Sequence, residues 1–185
     1  MQNSQIRELA VLFLYEHDIN QDSDLTASFQ YYLANRDLLV QFTQQSEIGD
    51  EEFEQLSNHL TPIKKIEQVK DLSKSNFTDL KNDVSKEGIP PYLVELITGI
   101  HNHQEELDQM IDAHIQGRWS VQRLEKINLQ ILRLAVYEMC YSSEEVVPNV
   151  VALSEALELA KCYSDDASRK FINGVLANIL ADLDQ

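Results

Sequence analysis

From Tyr92 to Leu183 the apolar residues of this chain recur three and four positions apart, and nowhere does apolar–polar alternation persist beyond four residues. Such spacing gathers onto one face only in an α-helix, whereas a half-buried strand needs a period of two. One stripe runs through Tyr92, Leu93, Leu96, Ile97, Ile100, Leu107, Ile111 and Ile115 into Gly117. A second, after the loop that holds Trp119, takes in Leu124, Ile127, Ile131, Leu132, Leu134, Ala135 and Met139. A third follows Pro148 through Val150, Val151, Leu153, Leu157 and Ala160. The last comprises Phe171, Ile172, Val175, Leu176, Ile179, Leu180 and Leu183, behind Asp165, Asp166 and Ser168 as cap residues.

The first half reads the same way. Ser4 suits an N-cap before the stripe Ile6, Leu9, Ala10, Phe13 and Leu14, with Tyr15 widening the face. Leu25, Phe29, Tyr32 and Leu33 predict a second helix to about Leu39. Gly49-Asp50 precedes an acidic helix near 51–60, and Thr61-Pro62 opens another through Ile63, Ile66, Val69 and Leu72 toward Val84. Gly88-Ile89-Pro90-Pro91 is the clearest stop. With only 5 Gly and 4 Pro there are few sites for tight hairpins. The expectation is an all-α fold, a compact bundle of about seven helices. It forms a single domain over 1–185, with 20–90 an acidic, variable part and 91–185 the denser bundle.

A net charge of −16 repels nucleic acid at long range and excludes a general, sequence-independent grip on it. The charge is unevenly spread: residues 20–60 hold eight acids against one base, whereas 61–90 hold six lysines against five acids. Lys161, Arg169 and Lys170 gather around the acidic turn between the last two helices, so a local RNA site remains open. No apolar run approaches the ~20 residues of a membrane span, and the start MQNSQIREL lacks a secretory pattern, so a cytoplasmic protein is expected. Cys140 and Cys162, without a CxxC, read as buried free thiols and not as a zinc site.

Catalytic patterns find no support. A carboxylate-bridged di-metal bundle needs Glu three positions before His, and none of His17, His59, His101, His103 and His114 has it. The pairs His101/Glu105 and Asp108/Asp112 are what a solvated helix face supplies. Neither a nucleophile elbow nor a phosphate-binding glycine loop occurs. No enzyme, metal or cofactor is expected. Gly174, alone inside a helix at about 1 kcal/mol against alanine, implies close packing or backbone approach by a partner. Arg133 and Glu138, in the apolar helix 131–139, are either ion-paired or at its edge. Trp119 reads as a core anchor in its loop.

Three blocks carry a resemblance. Arg7-Glu8-Leu9-Ala10-Val11-Leu12-Phe13-Leu14-Tyr15 resembles the R-E-x-A-x-x-x-L-Y opening helix of the transcription antitermination factor NusB family. Trp119, Arg123-Leu124, Ile131-Leu132-Arg133-Leu134-Ala135 and Tyr137-Glu138 are similar to its W-x-x-x-R-L…I-L-R-x-A-x-x-E segment. Its final helix pair is matched by Pro148, Val151-Ala152, Glu155-Ala156, Glu158-Leu159-Ala160-Lys161, Ser168 and Lys170-Phe171-Ile172-Asn173-Gly174-Val175-Leu176.

The resemblance implies two small helical bundles and no catalysis. It also implies binding of boxA-like single-stranded RNA of ribosomal RNA leaders, jointly with the ribosomal protein NusE, within an RNA polymerase antitermination complex. Arg7, Lys161 and Lys170, with Arg169 adjacent, are the implied RNA contacts, and Arg123, Lys126, Asn128 and Gln130 the implied exposed NusE face. A homodimer through an apolar strip on the first helix also falls within the resemblance. The chain departs from the family where Asn3, Ser4 and Gln5 replace basic residues, and at Val150 and Ser154, where Lys and Asn are frequent. Those departures motivate the alternative, a protein-interaction module with reduced or lost RNA binding.

Overall fold

The computed structural model describes residues 1–21, 27–32, 34–35, 89–117, 120–143 and 145–184. Among them are six α-helices and one 3-10 turn, with no strand. We number the helices α1 (Asn3–Ile19), α2 (Pro91–Asn102), α3 (Gln104–His114), α4 (Lys126–Tyr141), α5 (Asn149–Tyr163) and α6 (Asp166–Leu183). The turn Val121–Arg123 lies between α3 and α4. Residues 27–32 and 34–35 are also helical, as expected there, and bury Phe29 and Tyr32. The all-α expectation holds. The expected helices at 51–60 and 61–84, the extension to Leu39, and Trp119 lie outside the described residues.

Local chemistry sets the helix ends. α1 begins one residue before Ser4: Gln2 is the cap, and its backbone N–H donates to the Gln5 side chain at 3.0 Å. An amide side chain three residues on satisfies that donor as the glutamate of a capping box would. Pro91 occupies the first position of α2, where its missing N–H is no loss. Asp165 caps α6, accepting from the Ser168 N–H at 2.7 Å. Asp112 closes the loop after α3 by accepting from the Val121 N–H at 2.9 Å.

α4 is the axle of the fold. Every residue from Asn128 to Met139 is buried, and α1, α2, α3, α5 and α6 all pack against it. A helix buried all round presents no solvated side on which to place a charge. Ile131, Leu132 and Leu134 are packed with Leu96, Ile97 and Ile100 of α2, Leu107 and Ile111 of α3, and Ile172 and Leu176 of α6 in one continuous core.

The two charges on this axle are therefore paired, though not with each other. Glu138 accepts from Arg7 Nε of α1, with both carboxylate oxygens at 2.9 Å, and from the Tyr92 hydroxyl of α2. Arg7 reaches Glu155 of α5 at 3.3 Å and lies 5.8 Å from the Tyr92 ring centroid. Burial, followed by the bond to Glu138, pushes the Tyr92 phenol far above its ordinary range. At the other end Arg133 forks onto Asp108 of α3, with two bonds of 2.7 Å, and approaches Asp18 of α1 at 3.6 Å. Glu8 ties in two further segments, accepting from Tyr163 at 2.6 Å and Tyr32 at 2.8 Å.

Two predictions follow from these ties. Removing one member of a buried pair strands the other, so Glu138→Ala should lower the unfolding free energy in urea by about 3–5 kcal/mol. The double variant Arg7→Met/Glu138→Met should lose far less than the two single changes summed. Additive losses would show that the pair is not coupled.

The second prediction concerns His114, which joins α3 to α6: Nδ1 faces the Met110 carbonyl at 2.7 Å and Nε2 the Asp182 carboxylate at 2.9 Å. Only the doubly protonated ring can donate both bonds. The Met110 carbonyl first, then Asp182, raises its pKa against the opposing effect of burial. A raised folded-state value gives stability that is full below the unfolded pKa and disappears as pH climbs through the folded one. The stability gap between wild type and His114→Leu should thus shrink between about pH 5.5 and about pH 8, the range spanning an ordinary imidazole. A gap that widened with pH would contradict this tie.

Candidate nucleic-acid interface

The last helix pair brings the expected cations to one turn. α5 stops at Tyr163, Ser164 caps it in extended backbone, and Asp165 starts α6 at once. Lys161 on the last turn of α5 and Arg169 and Lys170 on the first turns of α6 consequently flank one short junction. Lys161 is exposed and pairs with Glu158, while Arg169 pairs with Asp166 at 3.1 Å. Both are i,i+3 surface pairs, worth about 0–1 kcal/mol, so a phosphate could displace the carboxylate at little cost. Lys170 is exposed and has no ion pair among the described residues.

Gly174 lies one helical turn beyond Lys170, with exposed Asn173 beside it. A Cβ placed on Gly174 would meet no atom within 4 Å. Packing against the described residues therefore does not explain this glycine. A cavity of about 270 Å³ adjoins it, lined by His114, Gln116, Phe171, Gly174, Val175 and Asn178. Gly99 is the contrasting case: its missing Cβ is where the Tyr137 phenol sits.

Arg7 requires correction. It is 4 % exposed and its guanidinium is engaged by Glu138 and Glu155, so it belongs to the core and not to an RNA surface. Sequence spacing put Arg7 on a helix without showing which way that helix faces. The expected partner face divides similarly. Arg123 is exposed, and Lys126 is exposed while donating to the Asp18 carbonyl at 2.9 Å. Asn128 and Gln130, expected to be exposed, are 5 % and 1 % exposed. Asn128 accepts from the Ser164 hydroxyl, and Gln130 donates to Asp18 at 2.5 Å. Both sit on the axle, where no side of the helix is free.

Two smaller expectations change as well. Cys140 is half-buried and Cys162 is exposed, and both are free thiols. The stripe of α1 faces the core, and Ile19 at its end is exposed. The sequence reading also missed Asp18, Tyr92 and Asp108 as partners of the axle's charges. Two charged residues within an unbroken apolar helix were the available signal. None of the helices described is long and apolar enough to cross a membrane.

The structure thus defines an all-helical protein with a buried ionic core and a cationic junction between its last two helices. The sequence pattern of the NusB family matches residues 33–181, and the chain belongs to that family. It is 50 % identical to the transcription antitermination protein NusB of Enterococcus faecalis over 109 residues, 57 % of this chain and 70 % of that protein. With the protein of the same name from Limosilactobacillus fermentum it shares 55 % over 94 residues, 51 % of this chain and 66 % of that one. The Bacillus subtilis protein is 40 % identical over 106 residues, 57 % and 79 % of the two chains. The aligned part thus spans roughly two-thirds to four-fifths of these relatives.

Among solved structures, T. maritima NusB superposes with a TM-score of 0.57 at 22 % identity, covering 98 % of this chain and 92 % of that one. A complex of antitermination factors NusB and NusE with dsRNA gives 0.54 at 21 %, covering 98 % and 99 %. At these identities the likeness is one of fold.

Substitution at the two glycines should have opposite effects. Gly174→Ala gains about 1 kcal/mol of helix propensity without a clash, raising the thermal midpoint. Gly99→Ala must displace Tyr137 from a packed position and should lower it. A destabilised Gly174→Ala protein would return that glycine to a packing role.

Proposed function

We propose that this chain is a transcription antitermination factor that binds boxA-like single-stranded RNA of ribosomal RNA leaders together with the ribosomal protein NusE, in the RNA polymerase antitermination complex. The observation that carries the RNA part is the junction of Lys161, Arg169 and Lys170, continued by Asn173 and the open backbone at Gly174. Cations concentrated at one helix junction of a −16 chain suit a local anionic ligand. Polar side chains and an uncovered helix backbone beside them suit the sugar-phosphate chain of a single strand. Arg7 plays no direct part, and Asn3, Ser4 and Gln5 bring no charge. Three cations alone should bind weakly, which is the reason to assign NusE a share of the affinity. Arg123 and Lys126, at the start of α4, remain the candidates for the NusE face. In this reading 1–185 act as one domain, with 91–185 carrying the binding surfaces and 20–90 an acidic elaboration.

A second reading is favoured by one observation, the loss of Arg7 to the core. It holds that the chain is an interaction module of the same fold with little RNA affinity. Gel shifts with boxA RNA, with and without NusE, separate the two. The first reading expects a ternary complex whose log affinity falls against log salt with a slope of about −2, from three phosphates at roughly 0.7 each. Lys161→Ala/Lys170→Ala should flatten that slope by about 1.4. Absence of any ternary complex at low salt, with NusE binding retained, leaves the interaction module standing.

A further inference from the structure

A groove of about 380 Å³ runs between α2 and the end of α4, apart from the cationic junction, and Glu95, Gly99, His103 and Tyr137 are among its lining residues. Three rings form a ladder there: Tyr137 and His103 line the groove, and Tyr141 lies against both just outside its lining. Tyr137 and Tyr141 stack with centroids 5.3 Å apart and planes 17° from parallel, and His103 lies 4.2 Å from Tyr141. The His103 ring is held by the Gly99 carbonyl at 2.8 Å. Glycine at 99 leaves room for the Tyr137 phenol to lie across α2. Tyr137 is only 8 % exposed, and its hydroxyl, in the groove lining, has no hydrogen-bond partner among the described residues. That hydroxyl opens into the groove, where its donor and acceptor are available to a polar guest.

Among the described residues, the formal charges beside the groove are carboxylates. Glu95 is exposed on its wall, and Glu106, exposed as well, accepts from the Tyr141 hydroxyl at 2.5 Å. From Pro91 to Gln116 the chain has no lysine or arginine at all. Aromatic faces beside carboxylates favour a cationic guest and disfavour RNA. A planar guanidinium fits better than an ammonium, because it stacks on a ring while its N–H groups fork to a carboxylate and a hydroxyl.

We propose that the α2–α4 groove is a docking site for an arginine side chain of a basic partner protein, stacked on the Tyr137–Tyr141 ladder and donating to Glu95 and the Tyr137 hydroxyl. The site is separate from the RNA reading and stands or falls independently of it. The test titrates the full chain, followed by NMR, with acetyl-Ala-Arg-Ala-amide and with its uncharged citrulline counterpart. Saturable shifts at Glu95, His103, Tyr137 and Tyr141 with the arginine peptide alone are the expected result. Glu95→Gln, an exposed substitution that should leave the circular dichroism unaltered, should weaken binding about tenfold. Shifts spread evenly over the acidic surface, equal shifts with citrulline, an unchanged affinity in Glu95→Gln, or the same residues shifting with an oligouridine RNA would each overturn the proposal.

Discussion

The fold depends on the burial of two charges within α4. Desolvating a carboxylate or a guanidinium carries a penalty of several kcal/mol per ion, which only close and well-oriented partners offset. Glu138 is met by Arg7 and Tyr92, and Arg133 by Asp108 and Asp18, so α1, α2 and α3 are each fastened to the axle by a directional bond. Arg7 then carries the link to α5 through Glu155. Apolar packing alone would tolerate helices sliding or rotating against α4. The ion pairs do not, because their geometry must be right for the charges to remain buried.

That constraint also bears on where binding surfaces lie. A residue engaged in a buried pair cannot serve a ligand, and Arg7, Asn128 and Gln130 are all engaged within the core. The cations left in solvent at Lys161, Arg169 and Lys170 sit on α5 and α6, helices that meet in a turn too short to hide them. The groove between α2 and α4 has the opposite character, acidic and aromatic. A single net charge of −16 therefore describes neither surface. Local sign, and not the total, is what a partner close to either one meets, since screening confines such fields to about 10 Å at ordinary salt.

Much of the architecture was legible beforehand because helical periodicity is a local property. Most stripe residues on α2, α4 and α6 are buried, and Asp165 caps α6 as its position suggested. The exposure of individual polar residues was not legible. Asn128 and Gln130 read as solvated because they are polar, yet the helix carrying them is enclosed on all sides. Gly174 shows the reverse: a glycine in a helix suggests close packing, and the space around it proves open.

What the sequence determined by itself was the class of fold, the approximate position of the described helices though not the break at His103 between α2 and α3, and the cationic junction, since each depends on residues near one another in the chain. Only the tertiary structure decided which charges are interior and which are available. Arg7 and Glu138 are 131 positions apart, as are no two members of any local motif. Their pairing arises where α1 and α4 meet, and burial, which turns a charged side chain from a ligand contact into a structural tie, is a property of the packed molecule alone.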